Sequence, residues 1–133
     1  MQKDFDKWNE RKKKTDKNDV ELILFYEREV WWCITGVNVG VEIAGKHELF
    51  LRPVVVIRKF NKHMALIVPT TTQSNDNKYY FSVSGEDEKT YNSCLSQIRS
   101  ISSKRLFRKI GTIKGADYKL LLDKVSDMVK GIL

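Results

Sequence analysis

The sequence predicts a mainly β domain, a small barrel-like sheet closed by one C-terminal helix. Three observations carry that reading. Runs rich in β-branched and aromatic residues recur along the chain, from EVWWCITGV at 29–37 through PVVVIRKF at 53–60 to KYYFSVSG at 78–85. Near the C-terminus the period changes: Tyr118, Leu121, Leu122, Val125, Met128, Val129 and Ile132 recur at helical spacing. The length of 133 residues fits one domain with a single real core.

Residues 1–19 are polar and charge-dense, with Phe5 and Trp8 as the only apolar contact points. They predict a short helix over 4–14, stable only if those two aromatics dock, and then a polar linker. VELILF at 20–25 reads as a strand or an entry segment. The run at 29–37 is a strand, followed by a glycine-rich loop over 38–50. PVVVIRKF is nearly all apolar before its basic end, which predicts a central strand with both faces covered. Pro53 is expected at its first position, because proline cannot donate to a ladder. HMALIVP at 63–69 is the hairpin partner, with Asn61 and Lys62 as the turn. KYYFSVSG is a further strand, and 93–101 a short one. Ser103 is placed to cap a short basic helix over 104–109.

No apolar run approaches the ~20 residues of a membrane span, and MQKDFDKWNERKKK has no apolar signal core. The expected compartment is the cytoplasm. Two cysteines, Cys33 and Cys94, and two histidines, His47 and His63, show no metal-ligand spacing. The cysteines are expected as buried thiols. The net charge is +7, with 24 Lys and Arg against 17 Asp and Glu. Between Lys89 and Ala116 there is no acid, only Lys89, Arg99, Lys104, Arg105, Arg108, Lys109 and Lys114. A second acid-free stretch carries Arg52, Arg58, Lys59 and Lys62. Such runs suit a polyanion through counterion release, or are simply solvated basic faces.

Four segments in order resemble the MazF/PemK family of toxin–antitoxin ribonucleases. They are EVWWCITGVNVGVE at 29–42, RPVVVI at 52–57, VPTTTQS at 68–74 and SQIRSISSKRLFRKIGTI at 96–113. The resemblance covers about residues 29–133 and leaves 1–28 as an N-terminal extension. It implies a compact SH3-like barrel, usually a homodimer, that cuts single-stranded RNA at short sequences. It further implies no metal or other cofactor, no membrane, and a cognate antitoxin that holds the toxin inactive.

The resemblance places Arg52, Thr71 and Glu42 in the catalytic site. Metal-free RNA cleavage uses the RNA's own 2′-hydroxyl as nucleophile, so the site must handle a proton and stabilise charge on phosphorus. The Arg52 guanidinium is a permanently charged fork that matches phosphate oxygens. The Thr71 hydroxyl can bond a phosphate oxygen or orient the 2′-hydroxyl; threonines also serve simply as strand-end formers. Glu42 can act as base or orient Arg52, or be a solvated loop carboxylate. Thr72, Gln73, Gln97, Arg99, Arg58, Lys59, Lys104 and Arg105 are the expected RNA-binding residues. Trp31, Trp32 and Tyr80 can stack on bases or serve as core and dimer contacts.

The chain departs from the family pattern in three places. The segment between Glu42 and Arg52 is long. Arg28 and Glu29 replace a common Gly-Asp. Ser96 stands where several members have an aspartate proposed as base, so the general base stays open. Two other functions therefore compete with the endoribonuclease. One is a protein-binding toxin of the gyrase-inhibitor kind. The other is a catalytically weak relative that binds RNA or antitoxin.

Overall fold

The computed structural model describes residues 22–35, 51–73 and 76–133. The expected helix over 4–14, the loop over 38–50, Glu42 and His47 lie outside the described residues.

Among the described residues, seven strands and one α-helix follow in order. They are β1 (Glu29–Ile34), β2 (Leu51–Asn61), β3 (Met64–Thr71), β4 (Tyr80–Ser84), β5 (Thr90–Cys94), β6 (Arg99–Ser102), β7 (Leu106–Thr112) and α1 (Gly115–Lys130). All pairings are antiparallel, in the order β4-β5-β3-β2-β1-β7, with β6 also on β3. The fold is thus a mainly antiparallel β structure with a C-terminal helix, as the sequence led us to expect.

The apolar run in β2 has a strand's two-sided period. Val54 and Val56 face one core with Trp31, Cys33, Ala65, Ile67, Ile101, Leu106 and Phe25. Val55 and Ile57 face a second with Val30, Val68, Val83, Tyr91, Leu95, Ile113 and Leu121. The first core is wrapped by β6, β3, β2, β1 and β7, the second is covered by β4, β5 and α1. Both faces of β2 are therefore dry from Val54 to Ile57, which is why that stretch carries no polar residue. Phe25, on the extension side of the expected boundary, is fully buried in the first core.

Pro53 is the third residue of β2, not the first. It pairs with Trp32 on the β1 side, while pairing with β3 begins only at Val54. Its carbonyl faces β3, where the Thr70 hydroxyl donates to it at 3.0 Å. The missing N–H thus points to where the β2–β3 ladder has not started. Pro69 explains a second difference. The expected single strand over 93–101 is split into β5 and β6 by a 3₁₀ turn, Leu95–Gln97. β5 pairs with Thr70 and Thr71 and β6 with residues from Met64 to Ile67, so the break falls opposite Val68 and Pro69. Pro69 has no amide hydrogen to offer a partner there.

The expected basic helix over 104–109 is absent. Ser103–Arg105 is one 3₁₀ turn, capped by the Ser102 hydroxyl rather than by Ser103, and 106–112 is β7. The strand wins because it covers the open edge of β1 and buries Leu106 to 1% in the barrel. A six-residue helix would satisfy few of its own backbone groups.

The first turn holds a further adjustment. Arg28 has φ of 77°, the left-handed region that glycine enters freely. Here its side chain clamps the turn: Nε and Nη2 donate to Ile113 O at 3.1 and 3.0 Å, and Nη2 meets Glu86 at 3.1 Å. Helix α1 docks through Leu121, fully buried, and the Tyr118 hydroxyl, which donates to Ile57 O at 2.6 Å. Leu122, Val129 and Ile132, counted in the apolar stripe, are exposed.

Candidate functional site

Arg52 sits at the start of β2, opposite Cys33. Among its contacts, Nη1 donates to Thr70 O at 3.1 Å. Burial lowers its pKa, with Tyr80 and Cys94 acting the other way, but a guanidinium remains charged at neutral pH. The Thr70 hydroxyl returns the tie by donating to Pro53 O. The first turn of β2 and the last of β3 are thus stitched together, and the stitch forms one wall of a cleft of about 490 Å³. Leu51, Arg52, Pro53, Thr70, Thr71 and Thr72 line that side; Lys89, Thr90 and Tyr91 come from the β5 side, and Trp32 and Ile110 from β1 and β7.

Thr71 is half-buried in this wall. Its hydroxyl oxygen accepts the Gln73 N–H at 3.2 Å, which orients the side chain and leaves its O–H to donate. The turn after β3 is anchored by Asn92, whose Nδ2 donates to Gln73 O at 3.0 Å. Thr72 and Gln73 are exposed. Cleft and barrel mouth therefore hold a fixed guanidinium beside two threonine hydroxyls, an arrangement able to bind a phosphodiester and stabilise added negative charge on it.

Arg99 and Arg105 lie close to one another and to Cys33, which pairs with Arg52, and Gln97 ends the 3₁₀ turn between β5 and β6. Arg99 pairs with Ile67, and Arg105 Nη1 donates to Ile34 O at 3.3 Å. Burial, then the neighbouring Arg99, lowers the Arg105 pKa. Both arginines act on Cys33, whose thiol burial nevertheless pushes up to about 12. Tyr80 hydrogen-bonds Cys94, which together with burial raises its pKa, while Arg52 pulls it down. Lys104 is exposed on the 3₁₀ turn beside Arg105.

Arg58 and Lys59 are not brought here. Six residues along β2 from Arg52 put Arg58 about 20 Å away. Arg58 meets Glu27 at 3.5 Å, and Lys59 Nζ lies 4.7 Å from the centroids of the Phe25 and Tyr26 rings. The linear charge run is also partly neutralised in space. Lys109 meets Glu29 at 3.0 Å, Lys114 meets Glu88 at 2.9 Å and Lys89 meets Asp87 at 3.9 Å. Among the described residues no three His, Cys, Asp or Glu side chains are grouped to hold a metal ion.

Sequence reasoning did not single out Leu51, Lys89, Thr90, Tyr91 or Ile110 as site residues. No local pattern marks them, because the ladder registers that assemble the cleft join residues far apart in sequence, as in the pairs Trp32 with Pro53, Thr70 with Ser93 and Trp32 with Arg108. Trp32 was legible only as an aromatic with two roles. Its pairing with Pro53 puts both on one face of the sheet, while Arg52 pairs with Cys33.

Residues 27–129 match the sequence model of a family described as the PemK-like, MazF-like toxin of type II toxin-antitoxin systems. The chain belongs to that family. Comparison with curated protein sequences gave no match. Solved structures share the fold. A structure described as an endoribonuclease from Mycobacterial species superposes with a TM-score of 0.61 at 12% identity, covering 83% of this chain and 96% of that one. A Mycobacterial endoribonuclease in complex with its cognate antitoxin gives 0.56 at 13%, covering 83% and 98%. The MazE-MazF structure from Deinococcus radiodurans gives 0.60 at 12%, covering 82% and 97%. The Arg52-Pro53 and Thr71-Thr72-Gln73 segments lie on opposite sides of the β2–β3 stitch.

Proposed function

We propose that this family member is a metal-independent endoribonuclease that cuts single-stranded RNA at selected sequences. The observation that supports it is the meeting of Arg52 with the Thr71 and Thr72 segment on one cleft. In this reading Arg52 binds the non-bridging oxygens of the scissile phosphate. Thr71 donates its O–H to the same group. The substrate's 2′-hydroxyl attacks the adjacent phosphorus, and the 5′-oxygen leaves with a proton. The products are a 2′,3′-cyclic phosphate and a 5′-hydroxyl. Arg52 is more useful to the crowded, extra-charged phosphorane than to the diester, which is the condition for rate acceleration. Glu42 remains the candidate base. Arg99, Arg105, Lys104 and Gln97 carry the strand across the barrel mouth.

The toxin domain is proposed as 29–133 with 1–28 as extension, active as a homodimer. A cognate antitoxin segment, disordered when free, is proposed to cover the same mouth and compete with RNA. No helix among the described residues is long and apolar enough to cross a membrane. The test is incubation of the purified protein with a long RNA in EDTA, with both ends of each cut mapped. Cuts with cyclic-phosphate ends at a recurrent short sequence are expected. A requirement for added Mg²⁺ or Mn²⁺, or no cutting, would remove the proposal.

A further inference from the structure

The departing 5′-oxygen needs a proton, and Arg52 and Thr71 are poor sources of one. A guanidinium does not release its proton in a protein, and an aliphatic hydroxyl is a weak acid. The strand registers bring one more side chain to the face these two occupy. In β2, Val54 and Val56 point into the first core, so Arg52 lies on that side, opposite Cys33. In β3, Thr71 shares the side of Ala65 and Ile67. Asn92 pairs with Thr71, and the pairs Asn92 with Ser82 and Cys94 with Tyr80 carry the same face onto β4. The alternate residues Phe81, Val83, Tyr91 and Leu95 point into the second core. Arg52, Thr71, Cys94 and Tyr80 therefore share one face of the sheet. Three strand spacings, about 14 Å, separate β2 from β4, and both side chains lean over the strands between. Arg52 Nη1 reaches Thr70 O on β3, and Tyr80 hydrogen-bonds the Cys94 side chain on β5. The Cys94 thiol is buried, with its sulfur 3.6 Å from Ser96 Oγ, whereas Tyr80 is only half-buried.

We propose that the Tyr80 hydroxyl is the general acid that protonates the departing 5′-oxygen. The inference rests on the RNA reading above and deepens it by assigning a catalytic residue. Sulfur is a weak hydrogen-bond partner, so Tyr80 exchanges its Cys94 bond for a more strongly accepting, charged oxygen with little loss. The bond to Cys94, then burial, raises the Tyr80 pKa, while Arg52 lowers it. The phenol therefore holds its proton before the reaction. In the step, the bond from phosphorus to the 5′-oxygen breaks, and the Tyr80 proton passes to that oxygen. The electron pair of the O–H bond stays on the phenolate, which the Arg52 charge stabilises until water returns a proton. The 2′-hydroxyl proton leaves separately, to the base. An alkoxide is far more basic than a phenolate, so the transfer runs downhill as the bond to phosphorus breaks.

The experiment measures single-turnover cleavage by the full chain and by Tyr80→Phe on two RNAs with the same mapped cut site. One RNA is ordinary; the other carries sulfur in place of the bridging 5′-oxygen. A thiolate leaves without a proton, so the sulfur substrate needs no acid. Tyr80→Phe is expected to cut ordinary RNA about 10²-fold more slowly than wild type, or slower still, and the sulfur RNA at nearly the wild-type rate. Both rates come from one preparation, so their ratio does not depend on how much of the variant is folded. Arg52→Ala, which loses the phosphate contact, should be slow on both. Tyr80→Phe cutting ordinary RNA at the wild-type rate overturns the inference and leaves the nuclease standing. Equal slowing on both substrates also overturns it, since a hydroxyl that serves only binding or folding would act on both alike. Wild type that cuts neither RNA removes the nuclease reading, and this inference with it.

Discussion

Removing the Arg52 side chain separates what it does for the fold from what it does for the reaction. Structurally, Arg52→Ala deletes the bond from Nη1 to Thr70 O, 3.1 Å long. A hydrogen bond from a charged group contributes about 1.5–3 kcal/mol. Part of that returns when a half-buried charge is removed, since burial already disfavours the charged form. A net loss of about 1–2 kcal/mol follows, which lowers Tm by several degrees and leaves the protein folded at 25 °C. The Thr70–Pro53 bond still holds β2 to β3. Catalytically, a lost charge-stabilising donor costs about 10²–10³ in rate. The assay is single-turnover cleavage of a mapped RNA at 25 °C, run beside a thermal melt of the same preparation. Arg52→Lys keeps the charge without the planar fork and is expected between the two. A folded Arg52→Ala protein that cuts RNA at near-normal rates would falsify the placement of the reaction at this cleft.

Two further outcomes follow from burial. Leu121 is the one described residue of α1 that is fully buried, so Leu121→Ala should destabilise by about 2–5 kcal/mol in a denaturant melt. A loss under 1 kcal/mol would mean that α1 contributes little to the second core. Cys33 gives a pH dependence. Its thiol rises from 9.0 to about 12 through burial, with Arg105 and Arg99 opposing. The unfolded thiol therefore releases its proton while the folded one holds it. Cys33's contribution is full below pH 9 and falls between 9 and 12 by about 1.4 kcal/mol per unit. Stability measured against pH for wild type and Cys33→Ala should show the gap between them narrowing by about 2 kcal/mol from pH 8 to 10.5. A constant gap across that range would count against a thiol held neutral in the barrel.

Much of the fold was legible in the residues. The two-sided apolar run at 53–57 requires only local strand physics, and so does the hairpin turn, expected at Asn61 and Lys62 and found one residue later, at Lys62 and His63. The C-terminal helix was legible from its period, but not which of its apolar residues dock. Leu121 is buried while Leu122 and Val129 are exposed, because the docking angle against β4 and the first 3₁₀ turn selects the face. The stretch 104–109 misled for a related reason. Its Lys and Arg after Ser103 suit a capped helix locally, but β1 has an open edge that only a strand can satisfy. Tertiary pairing overrode a propensity worth a few tenths of a kcal/mol per residue.

For the site, the sequence by itself determined the chemistry on offer. Arg52 precedes Pro53, a Thr-Thr-Gln turn ends an apolar strand, and basic residues cluster late in the chain. Only the tertiary structure decided which of these meet. It joined Arg52 to Thr70 across 18 residues and brought Arg99 and Arg105 to the same barrel mouth. It sent Arg58 and Lys59 to the far end of β2, and paired Lys109 and Lys114 with carboxylates distant in sequence. It also set Tyr80 on the same face of the sheet as Thr71. The physical reason is that composition and period act over a few residues, whereas a cleft is assembled by the register of antiparallel strands. A one-residue slip in register would turn each of these side chains to the opposite face.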